Sequence, residues 1–240
     1  MMGQLFLKEV NTFFNQLTGY LLLTAFLVAL GLVVWVFPET SVLEYGFADL
    51  EALFVYTPFI FVFLVPAITM RMIAEERKTG TWELLLTSPL TNGQIILAKY
   101  LAALVLIFLA LLPTLIYYYS IVQLGDPVGN IDSAGFFGSF IGLILIGAVF
   151  AAIGLFSSSL TDNQITAFVI GVFLGFLLYF GLSALASLQR NDWALFIEEF
   201  SLSYHFQSMG RGVIDSSNLV YFLSLISTLL VATGIMIRRK

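Results

Sequence analysis

The sequence predicts an all-α membrane protein with six transmembrane helices, and three observations carry that prediction. Hydrophobic residues make up 60% of the chain against 10% charged, and the mean hydropathy is +0.99. A soluble domain does not have that balance. The apolar residues fall into six segments, each close to the ~20 residues that cross a hydrocarbon core. Basic residues gather on alternate connections, the pattern of a helical bundle with a fixed orientation. The 240 residues are read as one membrane domain, 1–240, with no room for an attached soluble enzyme. There is no cysteine, so disulfides and thiolate chemistry are excluded. A formal charge of −5 is no signature of nucleic-acid binding.

Residues 4–17 come first. Phe6, Val10, Phe13, Phe14 and Leu17 recur at helical spacing, with Gln4, Lys8, Asn11, Asn15 and Gln16 between them. The expectation is an amphipathic helix lying in the interface; the alternative is a polar leader into the first span. No small-residue cleavage site follows the first apolar segment, so that segment is expected to stay attached. The spans are placed at Gly19–Phe37, Ala52–Met70, Ile95–Ser120, Phe136–Phe156, Ile165–Ala186 and Leu219–Ile237. Pro58, Pro66 and Pro113 lie inside spans and are expected to bend them. Gly138/Gly142 and Gly171/Gly175 have GxxxG spacing, which permits close helix contact or simply reflects the frequency of glycine in such helices.

Between the second and third spans lies the polar stretch around which the rest is organised, residues 71–94. Arg71, Glu75, Glu76, Arg77 and Lys78 end one helix, and Gly80 is the residue to close its last turn. Thr81 is the expected cap of a short helix carrying Trp82, Leu84, Leu85 and Leu86. Ser88 before Pro89 stops that helix. Thr91-Asn92-Gly93-Gln94 has capping-box spacing and starts the third span, and Thr161–Gln164 repeats that spacing before the fifth.

With six spans, Lys8, Arg71, Arg77, Lys78, Lys99, Arg238, Arg239 and Lys240 share one side, and only Arg190 and Arg211 fall on the other. The rule for basic residues then puts both termini and the 71–94 loop in the cytoplasm. The outer segment 189–218 is expected to hold apolar-faced pieces at the membrane surface or dipping into it. Trp193, Phe196, Ile197 and Phe200 share one helical face there.

Catalytic chemistry is hard to find in this chain. His205 is the single histidine, so no two-histidine metal site exists, and a loop or capping role is expected for it. No serine sits in a G-x-S-x-G turn, and no phosphate-binding G-x-x-x-x-G-K-[ST] loop is present. Span centres carry no Asp or Glu, which argues against a proton relay. The chain reads as a non-catalytic membrane part driven from outside.

Residues 64–90, LVPAITMRMIAEERKTGTWELLLTSPL, resemble the loop block of the ABC transporter type-2 permease family. The stretches GFADLEALF, SSLTDNQITAF and YHFQSMGRGVIDSSNLVYF are similar to the gliding-motility-associated permease of Bacteroidetes-type bacteria. The permease for nitrous-oxide-reductase copper maturation shares the loop block and the H-F-x-x-x-x-R-G-V-I-D run. The resemblance implies an elbow helix over 4–17, a cytoplasmic coupling helix, and re-entrant pieces after the fifth span. It implies a bacterial inner membrane, with a cytoplasmic ABC ATPase holding ATP and Mg while this chain binds no cofactor. The membrane partner is a second copy or a paralogous permease, and an outer-facing auxiliary subunit and membrane lipid are the other partners. The implied coupling residues are Glu75, Glu76, Arg77, Gly80, Thr81, Trp82, Glu83, Leu85 and Leu86. Within them, Glu75, Glu76 and Arg77 lock the helix end, while Trp82, Leu85 and Leu86 fill a groove on the ATPase. Gly171, Gly175, Tyr179 and Ser183 recur every four residues and form a candidate pathway or subunit-junction face, with packing inside one subunit as the alternative. A mechanical or regulatory role on an outer partner, without transport, is the competing function.

Overall fold

The structure is a computed structural model that describes residues 2–45, 48–188, 193–213 and 215–239. Gln189, Arg190, Ile214 and Lys240, which enter the expectations above, lie outside the described residues. Among the described residues the regular structure is helical throughout. Six helices are long and apolar enough to cross a membrane.

The chain starts with α1 (Met2–Phe14), breaks at Asn15-Gln16, and enters the first span, α2 (Leu17–Trp35). The break needs glycine at position 19, because a Cβ there would collide with the Phe13 carbonyl and ring. A single turn, α3 (Val42–Tyr45), lies on the connection to the second span, α4 (Glu51–Thr69). Two short helices follow, α5 (Arg71–Lys78) and α6 (Thr81–Leu86). The third span is split into α7 (Asn92–Leu111) and α8 (Thr114–Leu124) at Pro113, which has no N–H to continue the ladder. α4 runs unbroken through Pro58 and Pro66. The fourth span is α9 (Ser133–Leu160). The fifth is α10 (Gln164–Phe176), a π turn at Leu177–Gly181, and α11 (Leu182–Leu188). The outer segment holds α12 (Trp193–Glu198) and α13 (Leu202–Met209), and α14 (Ser216–Arg239) is the sixth span.

Small residues make α9 the centre of the bundle, touched by α4, α5, α7, α10, α13 and α14. Its glycines serve different neighbours. A Cβ on Gly138 would strike the Met209 carbonyl, one on Gly142 would lie 2.8 Å from the Phe206 ring, and one on Gly147 would lie 2.8 Å from Ile107. A Cβ on Gly154 would strike the Thr69 hydroxyl. The Gly138/Gly142 pair therefore docks α13 of the outer segment, so its spacing does mark a close helix contact. α13 turns Leu202, Phe206 and Met209 inward, while Trp193, Leu195, Phe196 and Phe200 around α12 stay exposed.

Two caps differ from expectation. Thr91 and Gln94 form the full capping box. At the fifth span the cap is Asn163 instead, accepting from Ile165 N at 2.9 Å, because the helix starts at Gln164 and leaves Thr161 two residues before the cap position. The short helix α6 is preceded by Gly80 at φ 72°, and Thr81 lies inside it and bonds back to the Glu76 carbonyl. The left-handed turn at Gly80 thus does the work assigned to a threonine cap.

Candidate functional site: the 71–94 loop and its ionic core

α5 is held in place before it reaches water. At the α4–α5 junction the Ser158 hydroxyl, near the end of α9, accepts from Ile73 N at 3.1 Å and Ala74 N at 3.0 Å. It also donates to the Met70 carbonyl at 2.8 Å. A side chain from the fourth span thus inserts into the backbone ladder where α4 gives way to α5, a recognised cause of a helix break. One turn further on, Arg77 Nη1 donates to the Ser159 carbonyl at 2.6 Å, and Asp162 lies 3.9 Å away.

The other side of α5 closes over buried charge. Lys99, on the first turns of α7, is wholly buried. Its Nζ lies 2.7 Å from Glu9 Oε1 of α1, 2.7 Å from Glu76 Oε2 of α5, and 2.7 Å from the Met72 carbonyl. Lys8 Nζ reaches the other Glu76 oxygen at 2.7 Å and Glu9 at 3.6 Å. Two ammonium groups and two carboxylates therefore neutralise one another, which is the condition for burying any of them. Burial alone would lower the Lys8 pKa, but the hydrogen bond and charge of Glu76, joined by Glu9, outweigh it and raise it. A raised lysine contributes its stability below the ordinary value of 10.5 and loses it only above, so this part of the network is constant near neutrality.

Arg71 completes the junction: its guanidinium donates to the Gln16 side chain and, at 2.8 Å, to the Thr18 hydroxyl. It ties the break between α1 and α2 to the start of α5 rather than pairing with Glu75 along its own helix. The loop is thus tied to α1, α2, α7 and α9 together.

The sequence-predicted coupling residues separate into two groups. Glu76 and Arg77 meet partners on other elements, Lys8 and Lys99 for the one and the Ser159 carbonyl for the other. Glu75 is half-buried beside the same polar pocket as Glu9 and Arg71. Trp82 departs from the expectation of a projecting anchor: it is 7% exposed, with the Arg77 guanidinium 5.7 Å above its ring. Its size and apolar surface are used inside this chain, packing α6 back on the bundle. Leu85 is half-buried, and the side chain of Leu86 lies outside the described residues. The apolar side chain that α6 presents outward is Leu84, 70% exposed, beside exposed Glu83.

The fifth-span residues also have plain locations. A Cβ on Gly171 would lie 3.1 Å from Pro66 and from the Ser157 hydroxyl, and one on Gly175 would meet Phe150 at 3.5 Å. Tyr179 is buried. Ser183 hydrogen-bonds Ser201 at 2.7 Å and Ser203 at 2.6 Å, and Ser201 donates to the Tyr179 carbonyl in the π turn. All four positions pack within this chain. His205 bridges the Glu199 carbonyl and Asn218 at 2.9 and 2.8 Å and stacks on Tyr221, which is a structural tie.

Sequence reasoning missed Glu9 altogether and placed Lys99 only near a span end. The helical face buried by α1 is Leu5, Glu9 and Phe13 at four-residue spacing, rotated from the one read off the aromatic residues. A carboxylate in the middle of that repeat, and a lysine three residues past the apolar pair Ile95-Ile96 within the apolar start of the third span, were the available signals.

Six apolar helices with a glycine-rich fourth span at their centre, and an anchored two-helix loop at one end, define an α-helical membrane subunit. Residues 24–237 match the profile of the ABC-2 family transporter proteins, so the chain belongs to that family of ABC transporter permeases. It is also similar to the probable ABC transporter permease protein NosY of Pseudomonas aeruginosa, at 33% identity over 167 residues. That alignment covers 65% of this chain and 59% of the relative.

Proposed function

We propose that this chain is the membrane-spanning subunit of an ATP-driven, exporter-type ABC complex in a bacterial inner membrane. In this reading 71–94 is the cytoplasmic coupling loop on which a separate ATPase docks, α1 is the elbow helix, and both termini are cytoplasmic. The observation that carries it is the anchoring of α5: Ser158, Arg77, Glu76 and Lys99 tie one short helix to three membrane elements, so a push on α6 is delivered to the spans and not absorbed by the loop. A lever needs that rigidity. The finer reading is the gliding-motility-associated system. The similarity to NosY favours the second, a permease of a nitrous-oxide-reductase maturation complex. A mechanical role on an outer auxiliary subunit uses the same lever.

The arrangement of α6 makes the dock testable. Leu84→Asp is expected to weaken co-purification with the ATPase by about thirtyfold, the scale of one interface anchor, without changing the melting temperature. Trp82→Ala is expected to lower the melting temperature, since it empties a packed position. Wild-type ATPase retention by Leu84→Asp would remove α6 from the interface.

We place the junction between two permease copies on the exposed face of α10, at Ile165, Val169, Phe173 and Phe176. The opposite face, with Gly171 and Gly175, is already occupied by α4 and α9. In a chain free of cysteine, Phe173→Cys is expected to crosslink between copies and Ser183→Cys is not. The reverse result would return the junction to the Gly171–Ser183 face.

A further inference from the structure

The H-F-x-x-x-x-R-G-V-I-D run is the conspicuous motif that the coupling reading leaves unused, and the structure gives it a place. Its Gly210-Arg211-Gly212 turn is pressed onto α9. A Cβ on Gly135 would lie 3.1 Å from the Gly210 carbonyl, and one on Gly212, at φ 77°, would lie 3.0–3.2 Å from Ala134 and Gly135. Only glycine fits that φ and that approach together. The turn sets Arg211 on the wall of a cavity of about 400 Å³ at the end of the bundle opposite the coupling loop. Asp49, Glu51 and Asp132 line the same cavity, with Phe54, Val55, Phe136 and Phe206 as its apolar wall.

These charges are not used alike. Asp132 Oδ1 accepts from Gly135 N at 3.0 Å and Asp49 Oδ1 accepts from Glu51 N at 3.1 Å, so both serve as caps. Arg211 and Glu51 make no side-chain hydrogen bond or ion pair among the described residues. Opposite charges thus face one cavity without being spent on each other. The apolar wall also continues out of it: Val55, Phe59 and Phe63, four residues apart on α4, form an exposed strip running down the second span.

We propose that this cavity binds the head group of a zwitterionic phospholipid with an aminoethyl phosphate head. Arg211 takes the phosphate through its planar fork of donors. Glu51, backed by Asp49, takes the ammonium, and one acyl chain lies along Val55, Phe59 and Phe63. The excess of carboxylate over guanidinium at the cavity rejects an anionic head, and the apolar strip favours a lipid over a soluble zwitterion. The inference does not depend on the ATPase or on the coupling loop.

The test is native mass spectrometry of the full-length protein in mild detergent, titrated with dioleoylphosphatidylethanolamine, dioleoylphosphatidylglycerol or soluble O-phosphoethanolamine. Phosphatidylethanolamine is expected to be retained about tenfold better than phosphatidylglycerol, the scale of one charge-assisted hydrogen bond. Glu51→Gln is expected to abolish that preference, while Arg211→Ala is expected to lower retention of both lipids and Arg211→Lys to restore part of it. Val55→Trp alters no charge and is expected to reduce retention by obstructing the chain path, which keeps the test decisive if Arg211→Ala does not fold. Equal retention of the two lipids, or undiminished preference in Glu51→Gln together with undiminished retention in Val55→Trp, would overturn the proposal. O-phosphoethanolamine binding as tightly as the lipid would overturn the lipid assignment. Disulfide trapping of Phe63→Cys between two copies, with no lipid retained, would replace it with a subunit contact.

Discussion

Lys99→Met is expected to cost about 3–5 kcal/mol of stability, because it leaves Glu9 and Glu76 buried without their shared cation. The side chain is wholly buried, and its three polar contacts are all at 2.7 Å. The loss should appear as a lower melting temperature in detergent and poor accumulation in the membrane. The size of the effect belongs to the carboxylate left without a close cation, Glu9, whose remaining partner Lys8 lies 3.6 Å away, rather than to the lysine itself. Lys99→Met combined with Glu9→Leu should therefore recover most of the loss, since Glu76 keeps Lys8 at 2.7 Å and the remaining pair is neutral. Replacing a buried ion pair by apolar side chains of similar volume is often close to neutral. If the double variant is no more stable than the single one, the network is not the source of the effect. The double variant keeps the packing while cutting the ionic tie between α1 and α7.

The spans, the loop and its helix-break-helix character are legible in the sequence because they rest on local signals. Long apolar runs fix the six crossings, Gly80 fixes the turn between α5 and α6, and Thr91 with Gln94 fixes the start of the third span. What fails depends on which way a side chain turns once tertiary packing is chosen. Trp82 reads as an anchor for a partner because it is large and sits in a polar loop, yet α6 folds back and spends it internally. Gly171 and Gly175 read as a possible junction because spacing shows a face and not its neighbour. The ionic core escapes notice for a different reason. Glu9, Glu76 and Lys99 are separated by 67 and 23 positions, and each alone looks like an ordinary interfacial charge. Only the fold brings them within hydrogen-bonding distance. The Gly210-Arg211-Gly212 turn is intermediate: its glycines announce a tight conformation, while the partner, α9, cannot be read from them.

Ser158→Ala is expected to alter the geometry of the lever more than any other single-atom change in the loop region. One hydroxyl satisfies Ile73 N, Ala74 N and the Met70 carbonyl at the point where α4 ends and α5 begins. Without it, a buried donor left unpaired costs about 1–3 kcal/mol. The chain can recover part of that by letting Ala74 N bond to the Met70 carbonyl, the ordinary helical partner four residues back. That repair makes α4 and α5 one continuous helix and swings α6 relative to α9, pulling Arg77 away from the Ser159 carbonyl. Spin labels on cysteines introduced at Phe63 and Glu83 measure the change directly, since the chain has no cysteine of its own. Ser158→Ala is expected to shift or broaden the distance distribution. Ser157→Ala is the control, because its hydroxyl bonds only to the Gly154 carbonyl of its own helix, at 2.9 Å. An unchanged distance distribution in Ser158→Ala would show that Gly154 against Thr69, and not the inserted hydroxyl, sets the angle of the lever.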